Sequence, residues 1–99
     1  MKWQLGDEKD NRIIEYDGWL DLDDLSAPDQ QGVFVFVCDR LEVKYVGRAC
    51  ASLLDEMKSA ISQGKAAGAL MCAWYVAASE HAAAGLEKYW LERYQPANN

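Results

Sequence analysis

Apolar residues along this chain switch between two periods. From Val33 to Cys38 the sequence VFVFVC is continuously β-prone, and Val43 to Val46 (VKYV), closed by Gly47, is a second such run. Only the connector Asp39-Arg40-Leu41-Glu42 separates them, which is the pattern of a hairpin. From Ala51 to Ile61 the period becomes helical, with Leu53, Leu54, Met57, Ala60 and Ile61 in step. Gly64 and Gly68 bracket a loop, and Leu70 to Ala77 (LMCAWYVA) is a third strand. Ser79 is a suitable N-cap with Glu80 in the first turn, and the helix it opens runs to about Tyr94, before Pro96. The expected elements are strands near 32–38, 43–47 and 70–77 and helices near 51–63 and 80–94. Val33, Val35, Val46, Leu54, Met57, Trp74, Leu86 and Trp90 are the predicted core.

The segment up to Gln31 is different. It is polar, with isolated apolar anchors at Trp3, Leu5, Ile13, Ile14, Tyr16, Trp19 and Leu20, and it ends in the turn Pro28-Asp29-Gln30-Gln31-Gly32. The pattern predicts an extended arm, with room for one short strand, packed on the body. The expected division is an acidic N-terminal arm over 1–24 and a domain over 25–99. The order β-β-α-β-α makes that domain α/β of the α+β type, with a small, mostly antiparallel, three-stranded sheet flanked by helices.

Composition and charge narrow the function. A length of 99 residues suits one domain, and four Trp and five Tyr supply a substantial core. No apolar run approaches the roughly 18 residues that span a bilayer, so no membrane association is expected. The charged start of the chain does not resemble a signal peptide, and the expected location is the cytoplasm. Cys38, Cys50 and Cys72 form an odd set without a CxxC pair, expected to be buried, reduced thiols. They leave zinc without a ligand set. Residues 1–42 hold eleven acids and four bases, a net of 4 − 11 = −7; residues 43–99 hold five acids and six bases, a net of 6 − 5 = +1. An acidic front repels phosphate backbones, so nucleic acid would bind weakly, and it favours a basic protein partner or simply solubility.

Glu87 is the anomaly. Its neighbours three and four positions away are Ala83, Ala84, Trp90 and Leu91. A carboxylate on such a face must reach water, pair with a cation or bind a metal. With that residue in view, Gly32-Val33-Phe34 and Tyr45-Val46-Gly47 resemble the two tripeptides of the GIY-YIG nuclease superfamily. The end of the chain matches more specifically: Glu87, then Trp90 and Leu91, Tyr94, Pro96 and Asn99. The approach Leu25-Ser26-Ala27-Pro28 is also similar, so the resemblance spans roughly residues 25–99.

That resemblance implies a metal-dependent phosphodiester hydrolase, with a signature Tyr and a helical Arg assisting attack and a helical Glu binding one divalent ion. Carried over by residue, it assigns Tyr45, Arg48 and Glu87 as catalytic and Glu87 as the metal ligand. Mg²⁺ or Mn²⁺ would be held through Glu87 together with substrate, with none expected in the free protein. Three positions depart from the pattern. Phe34 lacks the hydroxyl of the first tripeptide, Asp55 (or Glu56, one residue on) stands where the family carries its Arg, and Ala51 and Ser52 occupy the place of a frequent Asn. Arg48 would either neutralise Glu87 or replace the missing Arg. Gly32 and Gly47 are read as backbone-geometry positions, His81 as an exposed residue without a role, and Trp74, Tyr75, Tyr89 and Trp90 as core aromatics. Two functions follow: a catalytically impaired binding or regulatory module, or an active divalent-metal-dependent DNA endonuclease.

Overall fold

The computed structural model describes residues 1–99. In chain order its elements are β1 (Ile13–Tyr16), β2 (Leu20–Asp21), β3 (Gly32–Val37), β4 (Val43–Ala49), α1 (Leu53–Ser62), β5 (Met71–Ala77) and α2 (Glu80–Tyr94), with short 3₁₀ turns at Asp7–Lys9 and Leu22–Asp24. The strands form one antiparallel sheet of order β1-β5-β3-β4, with β2 also paired to β5. The predicted hairpin is β3–β4, with Val35 opposite Val46, and β3 also pairs with β5, with Val35 opposite Ala73. The three predicted strands and both helices are present within two residues of their expected bounds. No helix is long and apolar enough to cross a membrane.

Why β3 reads as an unbroken apolar run is now physical. Successive side chains of a strand point to opposite faces, so a run without polar residues needs cover on both. Val33, Val35 and Val37 join Leu86 and Trp90 of α2 on one face, while Phe34 and Phe36 join Leu53 and Met57 of α1 on the other. Helix α2 buries the stripe Ala83, Leu86, Trp90 and Tyr94, and its Ser79 cap accepts a hydrogen bond from the Ala82 N–H at 3.0 Å. Helix α1 is capped by Ser52, whose hydroxyl accepts from the Asp55 N–H at 3.2 Å. That start sets the buried stripe as Leu53, Met57 and Ala60. Leu54, predicted to be core, therefore lies about a hundred degrees round the helix and is only half-buried. Of the three cysteines, Cys72 is buried as expected, but Cys38 is half-buried and Cys50, in the link between β4 and α1, is exposed.

The arm contributes more than one short strand. Both β1 and β2 extend the sheet beyond β5. A burial pattern with three exposed positions in β1, and a length of two residues in β2, leave neither with a period to read. Trp3, only 7% exposed, inserts into the main core. Its ring lies parallel to Tyr75 and Tyr94, at centroid distances of 5.6 and 5.3 Å, and edge-on to Trp90 at 5.0 Å. Backbone bonds anchor it: the Trp3 N–H donates to the Leu41 carbonyl at 2.8 Å, and the Val43 N–H to the Met1 carbonyl at 3.1 Å. Asp7 accepts from Arg93 Nε at 2.8 Å and from the Tyr94 hydroxyl, tying the arm to the end of α2.

Two expected outcomes follow from this packing. Trp3→Ala should destabilise the domain by about 3–5 kcal/mol in denaturant melts, the cost of emptying a closed aromatic site; a loss below about 1 kcal/mol would mean that the arm is peripheral. The second concerns alkaline pH. Burial, then donation to Asp7, push the Tyr94 hydroxyl up to about 12. In the unfolded chain a phenol loses its proton near ~10. The folded state thus binds more protons between those values, and the stability this supplies, fully present below about 10, falls as pH rises towards 12. Tyr94→Phe should flatten that alkaline decline. Tyr75, pushed up further by burial and then by Glu8, will keep part of it.

Candidate functional site: a tyrosine, an arginine and a glutamate at the edge strand

Strand β4 is an outer strand of the sheet, and it carries two of the three predicted site residues. Tyr45 points to the α1 side, where its ring packs on Phe36 at 5.8 Å and Phe34 at 6.0 Å. Arg48, three residues on, has the opposite parity and reaches the α2 side. There its Nε meets Glu87 Oε1 at 3.2 Å, with the two side chains 36% and 28% exposed. The burial cost that singled out Glu87 in the sequence is relieved by this guanidinium. Tyr45 and the Arg48–Glu87 pair therefore lie on opposite faces of β4. The Tyr45 hydroxyl is pushed up by burial first, then by the charges of Glu87 and Glu56, so at neutral pH it is a protonated phenol. Lys65 adds a second cation, its Nζ lying 5.9 Å from the centre of the Tyr45 ring.

The signature glycines have steric tasks. A Cβ on Gly32 would lie 2.1 Å from the Tyr75 carbonyl oxygen, and one on Gly47 would lie 2.3 Å from Cζ of Phe34. Close strand approach and the Phe34 ring therefore demand glycine at both positions. Phe34 is fully enclosed and packs where a tyrosine hydroxyl would otherwise need a partner. Asp55 and Glu56 occupy the first turn of α1, where negative charge complements the helix dipole. Asn99 holds the edge of β4 with both ends of its amide: Nδ2 donates to the Val46 carbonyl at 2.8 Å and Oδ1 accepts from the Val46 N–H at 2.9 Å. Glu56 and Lys65 are the neighbours of Tyr45 that sequence reasoning did not assign. Their signal was their placement on and just after α1, which faces the same side of β4. His81 is exposed.

No family model and no curated protein matches the sequence. Among solved structures, the magnesium-bound GIY-YIG N-terminal endonuclease domain of UvrC from Thermotoga maritima is similar, at 25% identity and a TM-score of 0.66, over 76% of this chain and 89% of that one. A tyrosine-to-phenylalanine point mutant of the same domain, bound to the catalytic divalent cation, is similar at 26% identity and the same TM-score, over 76% and 88% of the two chains. The chain has the GIY-YIG superfamily fold. In the Thermotoga domain, then, replacement of a tyrosine by phenylalanine leaves the cation bound.

A resident cation does not fit the free domain. Its one matched carboxylate is already paired with Arg48, and no group of three or more His, Cys, Asp or Glu converges on a point. A guanidinium at 3.2 Å competes directly with a dication for the same oxygen. The distinct groove of the domain, about 310 Å³, is elsewhere. It lies between the Leu22–Asp24 turn and α1, lined by Leu22, Leu25, Lys58 and Ile61 among others, and includes none of Tyr45, Arg48 and Glu87.

Because both partners of the Arg48–Glu87 pair are about a third exposed, solvent screens it, and it should contribute no more than about 1 kcal/mol. Glu87→Gln is expected to shift the denaturant midpoint correspondingly little. A loss of about 3 kcal/mol or more would identify the pair as a buried structural element.

Proposed function

We propose that this GIY-YIG domain has kept the scaffold of its nuclease relatives and lost hydrolysis, and that it acts as a binding or regulatory module. One observation supports this above the others: the carboxylate matched to the metal ligand carries an arginine as its counter-ion. The chemistry of the other positions agrees. Phosphodiester cleavage needs positive charge where the transition state gathers negative charge, and a single arginine in that role is worth roughly 10³–10⁵ in rate. Here the first turn of α1 offers Asp55 and Glu56 instead. Tyr45 keeps its proton more tightly than an ordinary phenol, which weakens it as a general base.

The Arg48–Glu87 pair, with the charge of Glu87 also felt at Tyr45, favours the second reading, an active endonuclease in which Mg²⁺ or Mn²⁺ reaches Glu87 only together with a phosphodiester. A nuclease assay separates the two. The purified domain, with Mg²⁺ or Mn²⁺ and single- or double-stranded DNA, is expected to give no cleavage above background. Cleavage that disappears in Glu87→Ala would establish the endonuclease; cleavage that persists in that variant would come from a contaminant and leave the binding reading in place.

A further inference from the structure

The two edges of the sheet are treated in opposite ways. Along β4 the chain covers its own edge. Met1 takes the Val43 N–H, the Asn98 N–H donates to the Lys44 carbonyl, and the Asn99 side chain takes both polar groups of Val46. Along β1 nothing comparable happens. Apart from the Ile13 N–H, which donates to the Asp10 carbonyl, the backbone hydrogen bonds of β1 go to β5 alone. The outward side of Ile13–Tyr16 is open, and it carries large apolar side chains in water: Ile14 is 64% exposed and Tyr16 45%. An uncovered apolar edge is a template for another strand, and folded proteins usually block it.

Charge decides what kind of strand fits. Residues 13–24 contain Glu15, Asp17, Asp21, Asp23 and Asp24 and no Lys or Arg, a net of 0 − 5 = −5. None of these five acids takes part in the ion pairs of the domain, which join Met1–Glu42, Arg12–Asp10, Arg48–Glu87 and Arg93–Asp7. Glu15 lies in β1 and Asp17 directly follows it, so a second copy paired at this edge would set acid against acid, which like-charge repulsion opposes. A segment that alternates Lys or Arg with β-branched residues would satisfy the backbone groups, cover Ile14 and Tyr16, and neutralise the rim.

We infer that the open edge of β1 is a docking strand for an extended, basic segment of a protein partner, which adds to the sheet beside Ile13–Tyr16. This rests on the reading of the domain as a binding module and uses none of Tyr45, Arg48 and Glu87. Main-chain pairing supplies the affinity, the acidic rim selects the partner and speeds encounter, and the interaction weakens with salt.

The test uses the whole chain and a capped synthetic peptide of alternating Val and Lys. The expected result is saturable binding by fluorescence anisotropy, with amide shifts centred on residues 13–16 in the NMR spectrum. Binding should weaken about tenfold in the double variant Glu15→Lys with Asp17→Lys, and an alternating Val-Glu peptide should not bind. Ile14→Lys, at an exposed position that leaves the core intact, should weaken binding by a similar factor. No binding of the Val-Lys peptide, equal binding of both peptides, shifts centred on β4 and α2, or a dimer of the free chain with its exchange protection on β1 would each overturn the proposal. DNA cleavage dependent on Glu87 would defeat the loss of hydrolysis without touching the edge, and failure of peptide binding would do the reverse.

Discussion

Strand β3 has water on neither face and on neither edge. Its side chains from Val33 to Val37 are buried alternately under α2 and α1, and its backbone is paired with β4 on one side and β5 on the other. Every other element is placed by that constraint. Both helices must lie across the sheet because both faces of β3 are apolar. Glycines must stand where the neighbouring strands come closest, at Gly32 against Tyr75 and at Gly47 against Phe34. A polar residue anywhere in the run would be left without a partner, at a cost of about 1–3 kcal/mol. Position 34 shows the same pressure acting on chemistry: a phenyl ring satisfies the α1 face completely, whereas a phenol would have to find an acceptor there.

The site is built at the first place where this burial stops. Strand β4 is covered by helices on its two faces but ends the sheet, so a residue on either face can reach its rim. Tyr45 arrives from one side and the Arg48–Glu87 pair from the other. A short helical carboxylate near an apolar layer needs a cation, and the chain provides one from within. In a nuclease the same electrostatic demand is met by an ion that can also polarise a phosphate. The guanidinium meets the demand with a fixed, monovalent charge.

The sequence carried the central architecture because its periodic signals are strongest there: the VFVFVC and LMCAWYVA runs belong to strands covered on both faces, and the two helices show a helical period, the second with a readable Ser79 cap. The arm was not legible. Ile13–Tyr16 lies at the edge with most of its side chains in solvent, and Leu20–Asp21 is too short for any period, so pairing to β5 decides their conformation. Trp3 looked like an isolated anchor because its contacts, Tyr75, Trp90 and Tyr94, come from distant parts of the chain. Leu54 was misplaced by one helical position, a shift that Ser52 as cap explains. At the site, Glu87 stands out in the sequence as a charge among apolar neighbours, and Arg48, next to the second tripeptide, is the guanidinium that can pair with it. Glu56 enters the sequence reading only as the alternative to Asp55 at the place of the family's arginine, and Lys65 follows α1 in a turn without a period, so neither reads as a neighbour of Tyr45.

The sealing of the β4 edge has a consequence for synthesis. The residues that cover it are far apart in sequence: Met1 on one side, Asn98 and Asn99 on the other. The contact between Gln4 and Tyr94 spans 90 positions. Such contacts form late, because loop closure precedes any gain from them. On the ribosome, β3, β4 and α1 emerge long before Asn98 and Asn99 do. Met1 is available to Val43 from the start, but the nascent domain carries β4 unpaired at Lys44 and Val46 until Asn98 and Asn99 follow, and that interval is when it is most exposed to pairing with another unfinished chain.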